Sequence, residues 1–185
     1  ERFVAAYVGT HGMAHGLDTV LDAAALLRDD QRIVFLLVGD GAERARLEER
    51  ARAMNLPNLV MLGQQPKDRM PAIWSVSDVS LVLLRRLDLF KTVIPSKIFE
   101  SMAMQRPIVL GVEGEVKEII EEGGAGLCIE PENAAELARA VQALAADQSM
   151  YRRMQEDGYR YVREQFDRTV SARRYLDLLQ RTVNR

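Results

Sequence analysis

Three glycines and the chain's only two histidines fall within one eight-residue segment, Gly9-Thr10-His11-Gly12-Met13-Ala14-His15-Gly16. Glycines at this density let a backbone approach a ligand closely and leave amide N–H groups facing it ahead of a helix, which is how a phosphate cradle is made. The same glycines would equally serve a tight strand-to-helix turn. The segment fits neither G-x-G-x-x-G nor G-x-x-x-x-G-K-[ST], so it carries neither a dinucleotide fingerprint nor a P-loop. His11 and His15, with an ordinary pKa near 6.5, can donate to a phosphate or a sugar hydroxyl, or sit as passive loop residues. As a metal pair they lack a clear carboxylate or thiolate third ligand, and no metal is expected.

A second segment, Pro95-Ser96-Lys97-Ile98-Phe99-Glu100, brings free helix N–H groups, a hydroxyl and an ammonium into one first helical turn, an arrangement that receives an anion well. Glu100, one turn on, can accept hydrogen bonds from two adjacent hydroxyls such as those of a ribose, or merely favour the helix dipole. A third segment, Gly63-Gln64-Gln65-Pro66, can present backbone polar groups to a flat base.

These segments need a scaffold, and the apolar pattern supplies one. Short apolar runs alternate with segments of helical period, the signature of a parallel sheet wound with helices. Strands are predicted at Phe3–Val8, Ile33–Val38, Leu59–Leu62, Val79–Leu84, Pro107–Leu110 and Leu127–Ile129. Helices are predicted over about 17–28, after Gly39-Asp40-Gly41 through Met54, over Met70–Val76, from Pro95 at a first helical position, and near Glu115–Glu122. From Asn133 the chain reads as helical throughout: Ala134–Ala146, Met150–Gln165 and Arg168 to about Val183. The arginine-rich end reads as a solvated helix face with Tyr161, Val162, Phe166, Tyr175 and Leu178 packed inward, rather than as a membrane contact. The expected fold is α/β, with about six parallel strands and helices on both faces. It forms a single domain over 1–185, with an α/β core to about 132 and a helical tail over 133–185. In such a sheet, ligands bind beyond the carboxyl ends of the strands, where all three segments fall.

Composition bounds the alternatives. At 185 residues, 48% apolar and 28% charged, the chain buries roughly 70% of its unfolded surface and needs no disulfide or metal staple. A net charge of −2 and a pI near 5.8 leave no excess of positive charge for a nucleic-acid backbone. Cys128 is the only cysteine, which fits a reducing compartment. No apolar run approaches the ~20 residues of a membrane span. The start, Glu1-Arg2-Phe3-Val4, has neither initiator Met nor signal pattern, as expected of a domain from a longer chain.

Read together, Tyr7-Val8-Gly9-Thr10, Gly16-Leu17-Asp18-Thr19-Val20, Leu37-Val38-Gly39-Asp40-Gly41, Leu62-Gly63, Pro95–Ala103 and Arg106-Pro107-Ile108-Val109 form an ordered series. From about Phe3 to Tyr175 it resembles the C-terminal half of GT-B-fold retaining glycosyltransferases, in particular the bacterial L-fucosamine transferase (WbuB-like) group. The resemblance implies a Rossmann-like domain that binds a nucleotide-sugar donor, with a separate N-terminal domain of the same full-length chain holding the acceptor. That family carries Glu-x(7)-Glu, whose second acid holds the ribose and whose first approaches the sugar. Glu100 matches the second, whereas Thr92 stands at the first, so Thr92 or Asp88 takes over part of that role. Relatives carry Arg and Lys where this chain has Thr10 and His15. The diphosphate therefore falls to His15, Lys97 and the amides of Ser96 and Lys97, within a set that also includes Gly9, Thr10, His11, Gly12 and Gln65. Base recognition is expected from backbone groups at Gln64-Gln65.

The expected function is transfer of a sugar from a UDP-sugar to a hydroxyl of a lipid-linked glycan in bacterial surface polysaccharide or lipopolysaccharide synthesis. Retained configuration is implied, without metal or cofactor, with Thr92 and His15 as candidate catalytic groups and no activity expected from this chain alone. The resemblance places the full-length protein in the cytoplasm, peripheral to the inner membrane face. A nucleotide-sugar 2-epimerase half and a non-catalytic nucleotide-binding or regulatory domain are the alternatives.

Overall fold

The apolar runs fold as strands of one sheet. In the computed structural model, which describes residues 2–183, β1 (Phe3–Val8), β2 (Ile33–Val38), β3 (Leu59–Leu62), β4 (Val79–Leu83), β5 (Ile108–Gly111) and β6 (Gly126–Cys128) are all parallel. Their order is β3-β2-β1-β4-β5-β6, so successive connections run one way from β1 to β3 and the other way from β4 to β6. The reversal lies between β1 and β4. There the ladder holds only Ala5 against Val79 and Ala6 against Ser80, so the carboxyl ends of the two strands part into a crevice.

Alternation along the strands divides the core between the two faces. Ala5 and Tyr7 of β1 and Leu81 and Leu83 of β4 face one side, where they pack with α1 (Asp18–Leu26) and α6 (Ala134–Ala146). Val82 and Leu84 face the other, beneath Ile98 and Met102 of α4 (Lys97–Ala103) and Val116 and Ile120 of α5 (Glu115–Glu122). α2 (Arg44–Met54) and α3 (Met70–Val76) complete the wrapping. A clasp of ion pairs, Asp18 and Asp22 of α1 against Arg46 and Arg50 of α2, ties the first two helices together.

Several boundaries differ from expectation for identifiable reasons. Pro107 stays outside β5, since it has no N–H to donate, while its carbonyl accepts from Ser80 N at 2.9 Å. Pro95 is not a first helical residue: α4 begins at Lys97, and Pro95 and Ser96 carbonyls accept from Ile98 and Phe99 in a tight i→i+3 turn. α7 (Gln148–Gln165) starts two residues before Met150 because Asp147 caps it, accepting from Met150 N at 2.8 Å.

The expected packing of the tail holds only in part. Val162 is buried and Tyr161 and Phe166 pack on the second core, but Tyr175 and Leu178 of α8 (Arg168–Val183) are 64% and 60% exposed. Among the described residues, α8 is tied to the end of α7 through Arg174 at the Gln165 and Glu164 carbonyls, and no element covers its apolar side. Glu1 and residues 184–185 of the expected domain range lie outside the described residues.

Candidate functional site

Two loops after neighbouring strands are stitched into one layer. Gly9 N donates to Val38 O at 2.9 Å, His11 N to Asp40 O at 2.8 Å, and Glu43 N back to His11 O at 2.9 Å. The stitching depends on glycines: a Cβ at Gly39 (φ +143°) would lie 1.9 Å from Gly9 O, and one at Gly41 (φ +157°) 2.5 Å from His11 O. Gly39-Asp40-Gly41, which reads in sequence as a strand break, is thus what lays the Gly9–Gly16 loop across the sheet end.

That loop, with α4, brings together most of the predicted site. Lys97 starts on the α4 side of the sheet, yet its ammonium ends over the ring of Tyr7, which belongs to the opposite core, at 4.0 Å from the ring centroid. It lies 2.8 Å from where a Gly9 Cβ would be, so the missing side chain of Gly9 is the space the ammonium uses. Nζ is buried and has no hydrogen-bond partner among the described residues. Burial lowers the Lys97 pKa from its usual 10.5 to about 8, against a smaller upward pull from Glu100.

His15 lies beside this ammonium, its ring 5.8 Å from Tyr7 and its Nδ1 buried with no hydrogen-bond partner among the described residues. Burial first, then Lys97, push its pKa below the ordinary value, while the Leu83 carbonyl draws it the other way.

Of the two roles open to it, His11 has the placement of a passive loop residue. The ring is fully buried, both nitrogens lack hydrogen-bond partners among the described residues, and burial followed by Arg44 lowers its pKa. It anchors the loop from below through its backbone.

Gly12 precedes a single 3-10 turn over Met13–His15, and Thr10, exposed, offers its carbonyl to Tyr7 Oη at 2.8 Å. At the ends of β1 and β2, a cleft of about 400 Å³ is lined by Gly9, Thr10, Gly39, Asp40, Gln64 and Gln65, with Gln65 Nε2 donating to Gly63 O at 3.2 Å. The expected base loop and phosphate loop thus share one opening. Ser96 and Glu100 are exposed on the first turn of α4, and the Glu100 carboxylate makes no hydrogen bond or ion pair among the described residues.

Thr92 and Asp88 are not brought into this cluster. Both lie in an exposed 3-10 segment (Asp88–Thr92), where Thr92 Oγ1 meets Leu89 O at 3.5 Å and Asp88 pairs with Lys91 at 2.8 Å. Among the described residues no three His, Cys, Asp or Glu side chains converge as a metal site would require.

Three contributors escaped the sequence reading. Tyr7 reads there as one more apolar strand residue. Ser101 Oγ, buried, donates to Ser80 Oγ at 2.7 Å, fastening α4 to β4 one turn beyond Lys97. The only trace of that pair is a serine within the apolar run of β4. Arg85, two residues after β4, has a buried Nε with no hydrogen-bond partner among the described residues and donates its backbone N–H to Ala14 O.

Fold and crevice define a class: a doubly wound α/β domain of the GT-B type. The chain belongs to the glycosyltransferase group 1 family, whose description, "Glycosyl transferases group 1", matches residues 1–161. It is 32% identical over 139 residues to WcaI of Escherichia coli, a glycosyl transferase named for colanic acid biosynthesis, covering 74% of this chain and 34% of that one. It is 31% identical over 159 residues to the alpha-D-kanosaminyltransferase of Streptomyces kanamyceticus, covering 85% and 40%. The chain thus spans well under half the length of these relatives. Among solved structures, Anabaena HepE in complex with UDP superposes with a TM-score of 0.84 at 19% identity, over 97% of this chain and 49% of that one, a likeness of fold. No described helix is long and apolar enough to cross a membrane.

Proposed function

We propose that this chain is the donor-binding half of a retaining glycosyltransferase that takes a UDP-sugar, with affinity to the L-fucosamine transferase group on the strength of its motif series. The observation that carries the reading is a buried ammonium, Lys97, held without a carboxylate at the switch crevice beside a glycine-lined loop. A diphosphate is the ligand such a group lacks. As the bond between the sugar and the β-phosphate oxygen breaks, negative charge gathers on the leaving diphosphate, where the Lys97 ammonium and the amides of Ser96 and Lys97 stabilise it, with His15 beside them. Glu100 would hold the ribose from the exposed side of the same turn, and Gln64-Gln65 would face the base. The acceptor, a lipid-linked surface glycan, would be held by an N-terminal domain of the full-length protein working at the cytoplasmic face of the membrane. The relatives' names, from colanic acid to lipopolysaccharide core biosynthesis, support that setting.

The test is thermal unfolding of this chain with UDP, GDP, ADP, CMP and uridine. UDP should stabilise it most, by about 2.7 kcal/mol at a hundred times its dissociation constant. No stabilisation by any nucleotide would remove the donor-site reading.

A further inference from the structure

Tyr7 has no part in the reading above, yet three of its candidate groups meet on it. The Lys97 ammonium stands 4.0 Å over its ring centroid, and the rings of His15 and His11 lie 5.8 and 6.0 Å away. Its hydroxyl donates to Thr10 O at 2.8 Å, tying the Gly9–Gly16 loop to the strand that carries the ring. Tyr7 is fully buried. We infer that Tyr7 is a positioning residue for Lys97, its ring face holding the ammonium at the crevice in the place a carboxylate would otherwise take, so that the charge stays uncancelled for the donor's diphosphate. The inference rests on the proposal that Lys97 receives that diphosphate.

The choice of an aromatic floor follows from what each alternative would do. A carboxylate under Nζ would hold the lysine firmly and neutralise it, leaving little attraction for an incoming anion. An aliphatic floor would leave the ammonium uncancelled and unheld, free to swing out to water. The negative face of an aromatic ring attracts the cation while adding no net charge, and does so more strongly where water is excluded. The hydroxyl adds a second constraint. Through Thr10 O it fixes the loop bearing Gly9, whose absent Cβ is the space in which Nζ stands, 2.8 Å from that position. One side chain thus sets both the floor and the wall of the ammonium's seat.

The titratable groups facing Lys97 fit this arrangement. Glu100, one turn along α4, pulls the Lys97 pKa upward; His15, from the loop, has its own pKa lowered by Lys97; and burial keeps the Tyr7 phenol protonated by raising its pKa. With a pKa near 8, the ammonium keeps its proton at neutrality although nothing anionic touches it.

The experiment measures the ratio of uridine to UDP dissociation constants, which isolates the diphosphate, by calorimetry on this chain. Tyr7→Phe should keep most of the ratio. Tyr7→Leu should lower it about tenfold with uridine binding unchanged. In a Lys97→Met background, Tyr7→Leu should change the ratio less than twofold, since the group it positions is gone. Mono- to penta-fluorinated phenylalanines at position 7 keep the ring's shape while draining its negative face. The ratio should fall stepwise along that series, and this holds as a test even if Tyr7→Leu does not fold. A flat fluorine series, or equal loss of uridine and UDP affinity in Tyr7→Leu, would overturn the positioning role. A ratio that Lys97→Met leaves untouched would instead overturn the assignment of Lys97, a separate failure.

Discussion

Replacing Lys97 with methionine should make this protein more stable and worse at its task. The chain holds the Lys97 ammonium away from water, with a folded pKa of about 8 against an ordinary 10.5. At ~1.4 kcal/mol per pKa unit the burial costs about 3 kcal/mol below pH 8, where the lysine is charged in both folded and unfolded chains. The Tyr7 ring returns about 1–2 kcal/mol of that, being desolvated itself. Lys97→Met keeps the stem's volume and removes the charge, so a net gain of about 1–2 kcal/mol is expected at pH 7, or roughly 2–8 °C in Tm for a chain of this size. The pH dependence carries the sign. Because the folded pKa is depressed, the unfolded chain binds more protons between pH 8 and pH 10.5, and the native protein gains stability across that window. Urea unfolding of both proteins at pH 7, 8, 9 and 10 should therefore show the advantage of Lys97→Met largest at pH 7 and shrinking toward pH 10, while stabilisation by UDP is largely lost. A variant less stable than the native protein at pH 7, or a gap constant from pH 7 to 10, would show that the ammonium is not held at a cost.

Glu100→Gln should weaken UDP binding about tenfold or more, since charge-assisted hydrogen bonds contribute roughly 1.5–3 kcal/mol each, yet leave binding of 2′,3′-dideoxy-UDP nearly unchanged. Equal losses for the two ligands in calorimetry would withdraw the ribose role. Gly39→Ala should destabilise the chain by more than about 2 kcal/mol in urea unfolding, because its Cβ would fall 1.9 Å from Gly9 O at a φ of +143°. A native-like midpoint there would mean that the two loops are not locked together.

The scaffold was legible because burial on both faces writes a parallel strand as a continuous apolar run, as in Ile33–Val38, and the helices of the core carry one apolar stripe each. α8 misled for a physical reason. Its stripe signals that something covers Tyr175 and Leu178, but periodicity does not say what, and no described element does so. At the site, loop membership was legible and direction was not. His11 and His15 stand four residues apart in a glycine-rich loop, yet one ring is fully buried and the other lies beside the Lys97 ammonium. What separates them is the contact with Gly39-Asp40-Gly41, a pairing of two strand ends that no local pattern records. Tyr7 was invisible in the same way: its ring becomes a floor only because β1 and β4 part beyond Ala6 and Ser80 and a side chain from α4 crosses the gap.

The buried polar atoms that lack protein partners are concentrated at this crevice. Of seven such side-chain atoms among the described residues, five belong to His11, His15, Arg85 and Lys97, all on the loops after β1 and β4 or the first turn of α4. The other two are Asn58 Oδ1 and Arg106 Nε, while the Ser80–Ser101 pair and the Tyr7–Thr10 bond frame the crevice. Unmatched donors cost stability wherever water is excluded, so a stability-driven sequence would replace them. At Lys97, on a backbone held by two glycine-dependent loops, that cost has a use: an ammonium desolvated and in place before an anion arrives leaves the anion's oxygens to supply the partners the fold leaves out, whereas the fully buried His11 ring stays beneath the loop.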